Sequence, residues 1–302
     1  LKLSIEVREN FAVDKLTSFK IGGKIGRVYF PTSVQEFVEV AEKEPDAEVF
    51  GNFSNTLVSS DGYDGAIIVT TKMKNVSVEG TNFKAECGVK SQMLAKLAYE
   101  NGLSGFEFMI GVPGSLGGMI FMNASARGQC VSDKLKNVTC WSKEKGLIVL
   151  SKDEMGFEYR TSRCQAEDII ILAAEFELET KPLDEIKALM DSNLDFRKSH
   201  QPSLALPNCG SVFRNPEGNS AGRLLDAAGA KNFEVGGVHV WENHANFIIN
   251  SSAGTSEDVL EIMCKMFSAV KDKFGIELKP EVRFLGGKNL REVELCKILN
   301  IK

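Results

Sequence analysis

The chain has 302 residues, 43% of them hydrophobic and 25% charged, and a formal net charge of −5. That is an ordinary globular balance with room for two or three cores. It lacks the basic block that nucleic acid or an anionic membrane would require, while an anionic small molecule needs only a few local cations. No apolar run approaches a membrane span, and the start, Leu1-Lys2-Leu3-Ser4-Ile5-Glu6, does not read as a signal peptide. Seven cysteines, an odd number with no Cys-x-x-Cys, suggest neither a zinc knuckle nor a disulfide framework. A reducing cytoplasm is the expected setting.

In chain order, a short polar start leads through Gly22-Gly23 to a strand at Val28-Tyr29-Phe30. Thr32-Ser33 then opens a helix in which Val34, Phe37, Val38 and Ala41 recur at helical spacing. Val49-Phe50 feeds the small polar loop Gly51-Asn52-Phe53-Ser54-Asn55, and Ala66–Val69 is a buried strand by composition. The first stretch therefore reads β-α-β-loop-β. Residues 73–180 change character, with strands at 76–78, 83–86, 138–141, 147–150 and 169–178. One helix intervenes, capped by Ser91, carrying Leu94, Leu97 and Ala98, and closed by Gly102. Leu183–Phe196 is a helix by spacing, and a loop rich in Pro, Ser and Asn follows over 197–219. Ser220 caps a short helix closed by Gly229, and Val238–Trp241 and Phe247–Asn250 form a strand pair. Thr255-Ser256-Glu257-Asp258 is a capping signal ahead of the clearest amphipathic helix, ended by Gly275. A last strand holds Glu281–Gly286.

The most unusual stretch is Gly111-Val112-Pro113-Gly114-Ser115-Leu116-Gly117-Gly118, running on to Asn123-Ala124. Four glycines in eight residues read equally as a tight turn entering a buried segment or as a backbone nest for an anion. Neither the Gly-x-Gly-x-x-Gly spacing nor a Gly-Lys-Ser/Thr ending is present, so any phosphate is not one bound by the common nucleotide loops. With Gly51–Asn55, the octet could hold a pyrophosphate, although the first loop alone reads as a plain βα turn. Tyr159-Arg160 can present a planar cation to a carboxylate or be a surface pair. Gly210-Ser211-Val212-Phe213-Arg214-Asn215 places a hydroxyl, a cation and an amide in one loop. It is not a nucleophile elbow, and a polar loop is the simpler reading. Glu281 could be a partly buried acid or the partner of Arg283. His200, His239 and His244 form no recognisable metal spacing, and no metal is expected.

Taken in order, these segments resemble the UDP-N-acetylenolpyruvoylglucosamine reductase family. Gly111, Pro113, Gly114, Ser115, Gly117 and Gly118, through Asn123 and Ala124, look like its FAD pyrophosphate loop. Phe157–Arg160 looks like its Tyr-Arg site, Gly210–Pro216 its serine loop, and Lys279–Arg283 its glutamate strand. Ala221–Leu225 and His244–Phe247 match two further signatures. The family's Gly-x-Gly-Ser-Asn loop stands here as Gly51, Asn52, Phe53, Ser54 and Asn55, with Phe53 in place of the second glycine, and Thr56 stands where an aliphatic residue is usual. The chain looks like the shorter, second type, without the tyrosine-bearing insertion.

The resemblance implies an α+β fold: a vanillyl-alcohol-oxidase-like, two-part FAD-binding module over 1–72 and 73–182, a substrate-binding domain over 183–290, and a tail over 291–302. It implies a monomeric enzyme with bound FAD, NADPH as hydride donor and an enolpyruvyl UDP-sugar as substrate, which it converts to UDP-N-acetylmuramate for peptidoglycan. Arg160 and a protonated Glu281 would stabilise charge on the substrate carboxylate, and Ser211 would deliver the proton. Tyr159, Arg214 and Asn215 would bind substrate, with Arg197 or Lys198 as further candidates for its diphosphate. A different flavin oxidoreductase on the same module, and a non-catalytic nucleotide-sugar-binding protein, are the alternatives.

Overall fold

The computed structural model describes residues 5–301; the opening Leu1–Ser4 of the sequence reading lies outside it. In chain order the elements are β1 (Glu6–Ala12), β2 (Lys24–Phe30), α1 (Val34–Lys43), β3 (Glu48–Phe50), β4 (Thr56–Val58), β5 (Tyr63–Val69), β6 (Val76–Glu79), β7 (Asn82–Glu86), α2 (Ser91–Glu100) and β8 (Leu103–Ser104). There follow α3 (Leu116–Phe121), β9 (Ser125–Ala126), β10 (Gln129–Cys130), β11 (Leu135–Ser142), β12 (Gly146–Ser151), β13 (Ile169–Glu177), β14 (Glu179–Thr180) and α4 (Leu183–His200). The chain closes with α5 (Ala221–Ala227), β15 (Glu234–Val235), β16 (Val238–Val240), β17 (Ile248–Asn250), α6 (Ser256–Phe274), β18 (Arg283–Leu285) and α7 (Leu290–Leu299). Helices and largely antiparallel strands make the α+β class. No helix among the described residues is long and apolar enough to cross a membrane.

The residues fall into two compact units. The first takes the chain up to Arg8, Val28–Asn52 and Ala66–Arg197; the second takes Glu9–Arg27, Phe53–Gly65 and everything from Lys198 onward. Helix α4 thus belongs to the first unit almost to its end.

The first unit is built on a five-stranded sheet of order β12-β11-β13-β7-β6, all neighbours antiparallel. Strand β7 alternates, with Phe83 and Ala85 buried, whereas central β13 is buried continuously over 171–174 and again at Phe176. Phe106 packs edge-on against both Phe83 and Phe176, with ring centroids 5.2 and 4.9 Å apart. Helix α1 begins where expected, because Ser33 accepts from the Glu36 N–H and Phe37, Val40 and Ala41 face inward. Ser91 is not a cap. It is the first residue of α2, and its Oγ donates to the Val112 carbonyl, so it anchors the glycine octet instead.

The second unit centres on α6, whose Val259, Ile262, Met263, Met266 and Val270 are buried. Thr255 and Asp258 complete the reciprocal capping box, and Gly275 ends the helix in the left-handed conformation. Helix α7 packs on α6, where the sequence reading had only a tail over 291–302. The strand expected over 281–286 is shorter, β18, and it runs parallel to β4 with Arg283 opposite Thr56. Strand β1, within the expected polar start, was also absent from the sequence reading; its burial pattern is almost wholly exposed.

Candidate active site

In the first unit the octet links a 3-10 turn, Glu107–Gly111, to α3. Gly114 has φ +140°, a left-handed value that glycine takes without penalty. The first-turn N–H groups of Leu116 and Gly117 donate to the carbonyls of Val89 and Cys87, at 2.9 Å each. The N–H groups of Ser115 and Gly118 meet no protein acceptor among the described residues. Gly51 lies directly against the octet, since a Cβ built there would collide with Ser115 Oγ. The bare face of Gly51 therefore receives the Ser115 side chain of the octet. A further acceptor, Asn123 Oδ1 at the end of the stretch, is buried and unpaired. A cradle of free N–H groups and bare glycine surface fits a phosphate-bearing ligand, and the Asn123 amide oxygen is left to accept from a donor elsewhere on it.

Asn123 also reaches the next predicted site. Its Nδ2 donates to the Glu158 carbonyl at 3.0 Å. Glu158 and Thr161 exchange backbone hydrogen bonds at 3.2 Å, which makes Tyr159-Arg160 the two central residues of a tight turn. Arg160 has φ +55°, at a position where turns ordinarily take glycine or asparagine. Such a backbone costs a branched or long residue about 1–2 kcal/mol and persists only where the surroundings over-determine it. Here Gln165 Nε2 donates to the carbonyls of both Arg160 (3.0 Å) and Phe121 (2.7 Å). The guanidinium donates to Ser125 Oγ at 2.8 Å and lies 5.4 Å from the centroid of the exposed Tyr159 ring. Ala124 sits between these anchors and donates to Met119 O.

The second unit holds the other candidates. Val212–Arg214 is an extended stretch fixed on two sides. The Val212 N–H donates to Asn246 O (2.9 Å), while the Asn246 side chain accepts from Phe213 N–H (2.9 Å) and donates to Phe213 O (2.8 Å). On the other side Glu281 N–H donates to Val212 O (2.8 Å) and Arg214 N–H to Lys279 O (2.9 Å). The serine loop and the glutamate strand are thus backbone neighbours, although 70 residues separate Ser211 from Glu281. Ser211, Arg214 and Glu281 are partly exposed, and Val212 and Phe213 are buried beneath them. Burial pushes the Cys209 thiol upward.

The last residues of the first small loop join this unit. Asn55 Nδ2 donates to Glu281 O at 2.9 Å, and Ser18 Oγ donates to Phe53 O at 3.2 Å. Phe53 has φ +50° and is buried. The chain keeps here the left-handed backbone that glycine would adopt, and carries an aromatic on it. Ser54 is half-buried. Asn215 is exposed, and its Oδ1 accepts from Ala221 N–H at the start of α5, which leaves its amide Nδ2 for a ligand.

Two segments singled out in the sequence prove to be scaffolding for the serine loop. Asn246 is its clamp, a role that sequence spacing did not disclose. Gly222 makes room for His244, since a Cβ there would lie 2.6 Å from the ring's Cε1. Burial lowers the His244 pKa, and its Nδ1 faces Asn246 N–H at 3.2 Å. No group of three or more metal-ligating side chains occurs among the described residues.

Against known proteins, residues 27–150 match the family described as an FAD binding domain, and residues 201–285 match the C-terminal domain of UDP-N-acetylenolpyruvoylglucosamine reductase. Among curated relatives, a protein of that name from Caldanaerobacter subterraneus subsp. tengcongensis is 39% identical over 92% of this chain and 93% of its own. Another, from Caldicellulosiruptor saccharolyticus, is 36% identical over 94% of each. The crystal structure of the Thermus caldophilus reductase superposes with a TM-score of 0.79 at 28% identity, covering 93% of this chain and 99% of that one.

Proposed function

The chain belongs to the UDP-N-acetylenolpyruvoylglucosamine reductase family of FAD-dependent oxidoreductases, and from that premise we propose that it uses NADPH to reduce the enolpyruvyl ether of its UDP-sugar substrate, giving UDP-N-acetylmuramate for peptidoglycan. The reading divides the labour as the sequence suggested, with 1–72 and 73–182 serving the cofactor and 183–290 the substrate. A cytoplasmic monomer fits it. The observation that carries it is the backbone bond between Glu281 and Val212, which joins the serine loop to the glutamate strand within one unit.

Gly51–Asn55 and the octet, with Asn123 and Ala124, would hold FAD. Bound FAD supplies hydride transfer from NADPH to the terminal carbon of the enolpyruvyl group. The remaining work falls to side chains. Charge that develops on the adjacent carbon delocalises into the substrate carboxylate. Arg160, held in its pinned turn, offers that carboxylate a fixed guanidinium that needs no reorganisation. Glu281, as the neutral acid, donates a hydrogen bond to the same group. Ser211 Oγ–H gives its proton to the carbanion-like carbon, which is basic enough to take it from an alcohol. Tyr159, Arg214 and the Asn215 amide bind the rest of the substrate.

The test is spectroscopic. The purified chain should be yellow, lose that colour anaerobically with NADPH, and regain it when the enolpyruvyl UDP-sugar is added. A colourless protein with no NADPH oxidation would point to a binding protein. Bleaching that this substrate does not reverse would point to a different flavin oxidoreductase.

A further inference from the structure

Arg197 is the last residue of the first unit and stands near the end of α4. It is half-buried, and its Nε is fully enclosed with no hydrogen-bond partner among the described residues. Its side chain lies against Gly111, the first residue of the octet. A Cβ built on Gly111 would be 3.7 Å from both Cβ and Cδ of Arg197, and 3.5 Å from Asn193 O. These are ordinary contact distances, so the arginine stem packs on the bare face of Gly111.

The end of α4 is held there by a residue from beyond α3. Arg127 Nη1 donates to Ser192 O (2.9 Å) and Ser192 Oγ (3.0 Å), and its guanidinium lies 5.0 Å from the Phe196 ring centroid. Arg127 does this from a left-handed backbone, φ +52°. Two arginines thus lie near this helix end. One is spent on fixing the helix, while the other is half-buried with its Nε enclosed and unpartnered. Burial alone drives the Arg197 pKa down. A partly desolvated cation favours a nearby counter-charge. The octet supplies the complementary deficiency: Gly111–Gly118 contains no charged side chain, although Ser115 and Gly118 keep N–H groups for an anion.

We infer that Arg197 is the cation of a pyrophosphate site that opens at Gly111 and runs along the octet. The inference rests on the functional reading above, in which that pyrophosphate is FAD's, and it adds a residue outside the part of the chain matched as the FAD binding domain. A guanidinium suits this task because its planar donors match phosphate oxygens in pairs.

The experiment uses the full chain freed of flavin, comparing the unaltered protein with Arg197→Gln and Arg197→Lys. FAD and riboflavin are titrated by flavin fluorescence, and UDP is titrated into the flavin-loaded proteins. Thermal unfolding of each variant without ligand checks folding. Arg197→Gln should weaken FAD at least tenfold and leave riboflavin, which has no phosphate, unchanged. Arg197→Lys should fall between. Weaker UDP with unchanged FAD would support the same pyrophosphate chemistry and assign it to the substrate. Equal affinities for FAD and UDP in all three proteins would overturn the inference, as would equal losses for FAD and riboflavin. Should Arg197→Gln fail to fold, Arg197→Lys with unweakened FAD and UDP overturns it alone. If the unaltered chain takes up no FAD, the functional reading fails, and the UDP arm decides the role of Arg197 by itself.

Discussion

The Arg160 turn and the Ser211 loop hold their candidate functional side chains in opposite ways. Arg160 sits on a backbone its side chain disfavours, and the turn survives because Asn123 and Gln165 bind it from outside. Ser211 leads into an extended segment with every inner backbone group satisfied, by Asn246 on one side and by the 279–281 segment on the other. The first arrangement aims one cation at one point. The second keeps a short side chain beside a strand from far along the sequence. A strained turn can be relieved by substitution, whereas a satisfied clamp can only be damaged, and that difference is measurable.

The largest effect should come from Arg160. Arg160→Ala should slow reoxidation by substrate about 10²–10³-fold and leave reduction by NADPH close to normal. Arg160→Gly should lose the same activity yet be the more stable variant, by about 1 kcal/mol, because glycine accepts φ +55°. Stopped-flow rates and denaturant unfolding of the pair separate function from strain. If the alanine variant is the more stable, the turn is not strained.

The clamp should respond differently. Asn246→Ala strands the backbone N–H and C=O of Phe213 in a buried setting, at a cost of about 2–4 kcal/mol. No substitution there should stabilise the protein. A loss under 1 kcal/mol in urea unfolding would show that the loop is held by the 279–281 segment alone.

Phe53 sharpens the comparison inside the second unit, because it combines strain with burial. At most positions glycine is worse than alanine by about 0.5–1 kcal/mol. At Phe53 the order should reverse. Both variants lose the aromatic's burial, but Phe53→Gly should exceed Phe53→Ala by about 1 kcal/mol in unfolding free energy. The usual order would mean that φ +50° costs nothing here.

The smallest effect concerns pH. Burial holds the folded-state pKa of His244 below its unfolded value. The neutral ring therefore stabilises the fold above the unfolded pKa, and that contribution is lost as pH falls toward the folded pKa. His244→Asn should flatten the acid side of the stability profile below about pH 6.5. An unchanged profile would remove His244 from the acid response.

Much of this was legible in the sequence, for local reasons. The five-stranded sheet declared itself through alternation in stretches such as Asn82–Glu86, and α6 through Thr255, Asp258 and its apolar spacing. Strand β1 was hidden because Glu6–Ala12 is an exposed, charged segment with no buried face to alternate. Helix α7 was hidden by Glu292. That carboxylate opens the buried stripe, where it accepts from Ser59 and Ser256 hydroxyls, and it breaks the apolar pattern. Leu116–Phe121 reads as loop because two of its six residues are glycine, yet it folds as α3. The candidate site residues were proposed one segment at a time. The Asn246 clamp and the Glu281–Val212 bond were not, since both join residues 30 or more positions apart, which no local pattern encodes.

The central claim is that Ser211 delivers the proton, and a single-residue comparison tests it directly. In anaerobic stopped-flow, Ser211→Ala should be bleached by NADPH at the rate of the unaltered protein, and the enolpyruvyl UDP-sugar should then fail to restore the flavin colour. Recolouring at the unaltered rate would contradict the account.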